Sequence, residues 1–89
     1  VLIGGLGLGF TMIAALRSLP ADSEVIVAEL NECVIRWCRD EIAPVTPALK
    51  TALEDKRLTI HHGSVMEPIR RASQGPASQR YDAIIWDLY

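Results

Sequence analysis

Eighty-nine residues, 49% of them hydrophobic, with a formal net charge of −2, describe an ordinary globular composition and argue against a nucleic-acid binder, which would carry a basic face. No run approaches the roughly 20 uninterrupted apolar residues that a bilayer span requires, and the glycine-broken opening lacks the basic start of a secretion signal. The chain opens inside an apolar strand without Met and stops on another, so residues 1–89 are expected to be a partial nucleoside-binding domain, cut at both ends.

The elements alternate in a regular way. Val1 to Ile3 reads as the end of a buried strand, and Phe10 to Leu19 as a helix whose apolar face is Met12, Ile13, Ala15, Leu16 and Leu19. Pro20-Ala21-Asp22 ends it. Ser23 to Glu29 is a second strand, continuously apolar at Val25-Ile26-Val27-Ala28, as a parallel sheet covered on both faces demands. Asn31 is the expected N-cap of a helix running to about Ile42 and packed by Val34, Ile35, Trp37, Cys38 and Ile42. Pro44 and Pro47 stop and restart the chain, with a short helix over Thr46 to Leu53 that tolerates Pro47 in its first turn.

After the charged turn Glu54-Asp55-Lys56, Arg57 to His61 is a third strand. Val65 to Ala72 is a helix with Met66, Ile69 and Ala72 inward and Pro68 in its first turn. Residues 73–79 form a polar surface loop, and Tyr81 to Asp87 is a fourth strand. Without a further strand beside it, its apolar edge is an aggregation hazard. Cys33 and Cys38, on the order of 140° apart on one helix, cannot share a metal from one face. Buried or half-buried free thiols in a reducing cytoplasm are expected, with no metal.

The opening Val1-Leu2-Ile3-Gly4-Gly5-Leu6-Gly7-Leu8-Gly9-Phe10-Thr11 carries the chemistry. A strand breaking into glycines and then a helix lets backbone approach a ligand closely, because no Cβ stands in the way. Glu29, about 20 residues beyond the turn, sits where a βαβ unit holds ribose hydroxyls. A dinucleotide fingerprint would need its third glycine at Phe10, so that reading fails. Gly5, Gly7 and Gly9 give G-x-G-x-G instead, with no Lys-Ser or Lys-Thr pair for a P-loop. Such a loop suits a nucleoside without phosphate, such as an S-adenosyl sulfonium compound.

Strand alternating with helix implies an open, doubly wound parallel sheet with ligand at the carboxyl ends of its strands. Three strand ends besides the first carry candidates: Glu29, the segment His61-His62-Gly63-Ser64, and Asp87. His61 and His62 are adjacent on a strand, so at most one faces a pocket. Trp86 and Tyr89 either pack or line a site.

Four segments, Gly4 to Thr11, Val25 to Leu30 with Val34-Ile35, Arg57 to Val65, and Tyr81 to Asp87, resemble the polyamine aminopropyltransferase (spermidine synthase) family and its spermidine synthase-like relatives in order and spacing. The resemblance implies an α/β fold: the N-terminal part of a doubly wound, Rossmann-like (class I methyltransferase-like) parallel sheet in three α/β/α layers. It implies decarboxylated S-adenosylmethionine or S-adenosylmethionine as cofactor, bound by Gly5, Gly7, Gly9, Glu29, Leu30, Gly63, Ser64 and Asp87. Glu29 matches the ribose-binding acid, and Asp87 the first acid of a D-x-x-D pattern that binds ammonium groups and takes a proton from the attacking amine. The second acid of that pattern, which the resemblance makes the acceptor of the proton from the attacking amine, falls one position beyond Tyr89. Gly7 stands where members using the decarboxylated cofactor carry an Asp, and Ser64 where an Asp accepts from the adenine amino group.

Three readings follow. The first is aminopropyl transfer to a polyamine, the second S-adenosylmethionine-dependent methyl transfer to another nucleophile, and the third a catalytically degenerate binding module. In each, the partner is a small molecule, a homodimer is the assembly to test in the full-length protein, and the 89 residues alone are expected to be inactive.

Overall fold

The computed structural model describes residues 1–77 and 80–87. Ser78 and Gln79 of the expected surface loop, and Tyr89 of the expected pocket, lie outside the described residues. Along the chain come β1 (Leu2–Gly4), α1 (Phe10–Ser18), β2 (Val25–Glu29), α2 (Glu32–Trp37), α3 (Pro47–Leu53), β3 (Leu58–His62), α4 (Met66–Gln74) and β4 (Ile84–Trp86). A π-helical turn, Cys38–Ile42, and a 3-10 turn, Ala43–Val45, join α2 to α3.

The strands form one parallel sheet in the order β3-β2-β1-β4, a mixed α/β arrangement compatible with a Rossmann-like fold. Gly4 stands opposite Ala28 on one side and Trp86 on the other, and Glu29 stands opposite His62. The chain steps outward from β1 to β2 and β3, then crosses back to β4 on the far side of β1. Connections therefore leave the β1/β4 boundary in opposite directions, which opens a crevice at the carboxyl ends there.

Successive strand residues face opposite sides of the sheet, so β1 feeds two apolar clusters. Ile3, Val25 and Val27 join Met12, Ile13 and Leu16 of α1, with Cys38, Ala43, Leu49 and Ala52 beyond them. Leu2 and Ala28 pack with Val65, Ile26, Tyr81 and Ile69 of α4. Leu2, Ile3, Val25, Val27 and Leu49 are fully buried, each worth about 1.5–3 kcal/mol relative to exposure.

Four local expectations need correction. The helix expected from Asn31 to Ile42 is regular only to Trp37, although Asn31 caps it as expected by accepting from Cys33 N–H at 2.9 Å. Pro44 has no N–H to donate, and its ring would press on the Asp40 carbonyl, so the last turn widens until Ala43 N–H reaches Cys38 O. Trp37 stays outside the core, 49% exposed, and of the two thiols only Cys38 is buried, which pushes its pKa up. On α4, Pro68 and Ala72 are buried and Ile69 half-buried, whereas Met66 at the helix start is 40% exposed. The fourth strand is shorter than expected; Ile84, Ile85 and Trp86 are exposed, in line with the expected apolar edge, because β4 pairs only with β1 among the described residues.

Arg57 closes the end of α1. Its guanidinium donates to the carbonyls of Leu16 at 2.7 Å and Leu19 at 3.0 Å, groups that a helix C-terminus otherwise leaves without partners, and to that of Pro20 at 3.3 Å, which also accepts from Ser23 N–H. Asp55 holds the guanidinium in place through Nε at 3.1 Å and Nη2 at 2.8 Å, and also accepts from Arg57 N–H at 2.9 Å. These donors hold the Asp55 carboxyl down to about 2. A depressed carboxyl stabilises the fold above its unfolded value of about 3.9, and the contribution is lost as pH falls toward the folded value. Melting followed by circular dichroism is thus expected to show a steeper fall in Tm between pH 4 and pH 2 for the native chain than for Asp55→Asn. Parallel curves would rule out this ion pair as an acid-sensitive contact.

Candidate functional site

The turn from β1 to α1 is built on left-handed glycines: Gly5, Gly7 and Gly9 have φ of 105°, 53° and 83°. Gly5 N–H extends the sheet by donating to Ala28 O at 2.8 Å. Gly9 N–H closes the loop on Leu6 O at 2.8 Å, and Gly9 O receives Ile13 N–H at 2.9 Å to begin the helix. A Cβ on Gly9 would lie 2.7 Å from Leu49 Cδ1, so position 9 excludes a side chain both by dihedral and by space.

Glu29 ties three strand ends together. Its Oε1 accepts from Leu6 N–H at 2.9 Å in the glycine turn, and its Oε2 from Asn31 N–H at 3.0 Å. Its carbonyl accepts from Gly63 N–H at 2.9 Å, after β3. A carboxylate offers about four acceptor positions, and these contacts use one on each oxygen. Glu29 is half-buried, beside the exposed Leu30, so the remaining lone pairs are open to a ligand with paired hydroxyls. Ser64 Oγ accepts from Met66 N–H at 3.2 Å, which leaves its proton and one lone pair for a further partner. A Cβ on Gly63 would come 2.8 Å from His61 Nε2.

Asp87 joins the site from the far side of β1. Its N–H donates to Gly4 O at 2.7 Å, and its Oδ2 accepts from the Thr11 hydroxyl at 2.6 Å. The first turn of α1 thereby fixes the carboxylate beside the glycine turn and leaves Oδ1 without a protein donor among the described residues. Thr11 was not among the expected site residues; a hydroxyl one residue inside a helix that follows a glycine turn is the signal that marks it. Trp86, just before Asp87, lies over β1: a Cβ on Gly4 would sit 3.5 Å from its Cε3 and 3.2 Å from Val65 Cγ2. The indole is 57% exposed at the carboxyl edge of the sheet.

The two histidines diverge, as their adjacency requires. His61 Nε2 lies 3.1 Å from Glu67 Oε2 of α4. His62 lines a cavity of about 660 Å³ on the opposite face of β3. Hydrogen bonds bring the turn that holds Gly5, Gly7 and Gly9 together with Glu29 and Asp87 at the carboxyl ends of β1, β2 and β4, with Gly63 joined through the Glu29 carbonyl. It can seat a polar nucleoside edge on a carboxylate and present a second carboxylate to a cation. Among the described residues no helix is long and apolar enough to cross a membrane, and no three His, Cys, Asp or Glu side chains are grouped to hold a metal ion. Comparison with protein-family models, curated proteins and solved structures found no match to the chain.

Proposed function

We propose that this chain is the S-adenosyl-binding part of a spermidine synthase-like aminopropyltransferase, on a doubly wound, three-layer sheet of the class I methyltransferase-like kind. One observation carries the reading: the glycine turn, the Glu29 carboxylate clamped to it, and Asp87 meet at the carboxyl ends of β1, β2 and β4. The donor set suits an adenosyl group. Open lone pairs on Glu29 accept the two ribose hydroxyls, and Ser64 Oγ accepts from the adenine amino group. Gly7, the half-buried glycine of the turn, admits the ligand backbone-close, without a Cβ between.

A bound sulfonium compound supplies carbons already activated toward attack, so the chain has only to align a nucleophile and accept a proton. Asp87 performs the second task through Oδ1, since the Thr11 hydroxyl occupies and orients Oδ2. Before proton transfer the same carboxylate holds the ammonium of the amine substrate by a charge-assisted hydrogen bond.

A second reading, methyl transfer from S-adenosylmethionine, is favoured by Gly7, whose place in the turn carries no acid for an aminopropyl ammonium. Titration calorimetry separates the two. Tighter binding of decarboxylated S-adenosylmethionine than of S-adenosylmethionine is expected for the aminopropyltransferase; the reverse order selects the methyltransferase. Binding of neither at millimolar concentration overturns both.

A further inference from the structure

A cavity of about 660 Å³ opens between the π-helical turn, α3 and β3, on the face of the sheet away from α4. Its volume lies in the range of small-molecule sites, roughly 300–1,000 Å³. Ile35, Leu53 and Ile60 give it an apolar floor, and Ala43 and Pro44 of the 3-10 turn wall it. The widened turn at Cys38–Ile42 helps shape this wall, and such widened turns recur at functional sites.

The rim carries side chains of both signs. Arg39, Lys50 and His62 border the cavity, against the single carboxylate of Glu54. Arg39 is shared with Asp40 at 3.0 Å, whereas Lys50 makes no ion pair among the described residues. An ammonium with no partner above an apolar floor complements a ligand with a negative head and a hydrocarbon body. The position of His62 opposite Glu29 places the cavity one strand pairing away from the carboxylate that the glycine turn contacts.

We propose that this cavity is a second ligand site, specific for an amphipathic anion, with its aliphatic or aromatic body on Ile35, Leu53 and Ile60 and its carboxylate or phosphate head at Lys50 and Arg39. None of its lining residues belongs to the glycine turn, and neither Glu29 nor Asp87 is among them. Ligands of about ten heavy atoms bind such a site with a dissociation constant on the order of a millimolar.

The test is titration calorimetry with octanoate, octyl phosphate and octylamine, each below its aggregation concentration. Saturable octanoate or octyl phosphate binding at one site is expected, with the better of the two identifying the head group, and octylamine is expected to bind at least about tenfold more weakly. Lys50→Glu, at an exposed helix position, is expected to weaken anion binding by about tenfold. Leu53→Trp, which fills the cavity, is expected to abolish it while the circular dichroism spectrum is kept; should that variant unfold, Lys50→Glu and the octylamine comparison decide alone. Equal binding of octylamine, binding indifferent to Lys50→Glu, or no anion binding at millimolar concentration would overturn the proposal, whatever the outcome with the adenosyl compounds.

Discussion

Gly9→Ala is expected to destabilise the fold by about 2–4 kcal/mol, a large share of the total for a domain of this size. The φ of 83° alone costs a side chain about 1–2 kcal/mol. The new methyl would also stand 2.7 Å from Leu49 Cδ1, and Leu49 is fully buried, so relief requires moving a core residue, at about 1–3 kcal/mol. Alanine's reduced freedom in the unfolded chain offsets about 0.4–1 kcal/mol of this. Each kcal/mol corresponds to roughly 4–8 °C in a chain of this length, so thermal melting should show a drop of at least about 10 °C. Gly75→Ala is the control, because Gly75 has φ −96° and ψ −176°, open to any residue. If the two variants melt together, the turn does not demand its glycine.

Glu29→Gln is expected to weaken S-adenosylmethionine binding by about 10–100-fold, the loss of one or two charge-assisted bonds to ribose hydroxyls. The substitution keeps the shape of the side chain and removes its charge. It also turns an NH2 toward either Leu6 N–H or Asn31 N–H, both of which now meet an acceptor. The turn is therefore loosened as well as the ligand contact. Calorimetry on Glu29→Gln beside Glu24→Gln, an exposed acid at the other end of β2, separates site from surface. Unchanged affinity in Glu29→Gln would remove the carboxylate from the proposed site.

Much of the sheet was legible because its signals are local. The apolar run before the glycines, the continuous Val25 to Ala28, Asn31 as a cap and Pro47 in a first turn each act over a few residues. Glu29 at the end of β2 followed from the same spacing. Contacts between distant residues were not legible: the Thr11 bond to Asp87 spans 76 positions, and the Arg57 bond to Leu16 spans 41. Nothing in either neighbourhood names the partner. Helical periodicity put Trp37 and Met66 inside, yet it assumes a uniform turn and a long helix. Trp37 is the last residue of regular α2 and Met66 the first of α4, so each sits where the repeat ends or begins. For the histidines, alternation fixed that they part company but not that Glu67 receives one of them.

The pair of distant contacts has a mechanical meaning. Helix α1 is fastened at its start, where Thr11 holds Asp87, and at its finish, where Arg57 takes the carbonyls of Leu16, Leu19 and Pro20. It behaves as a strut with both ends anchored. The glycine turn therefore has no slack to draw from a sliding helix, and any adjustment to an incoming ligand must come from rotation about its own backbone bonds.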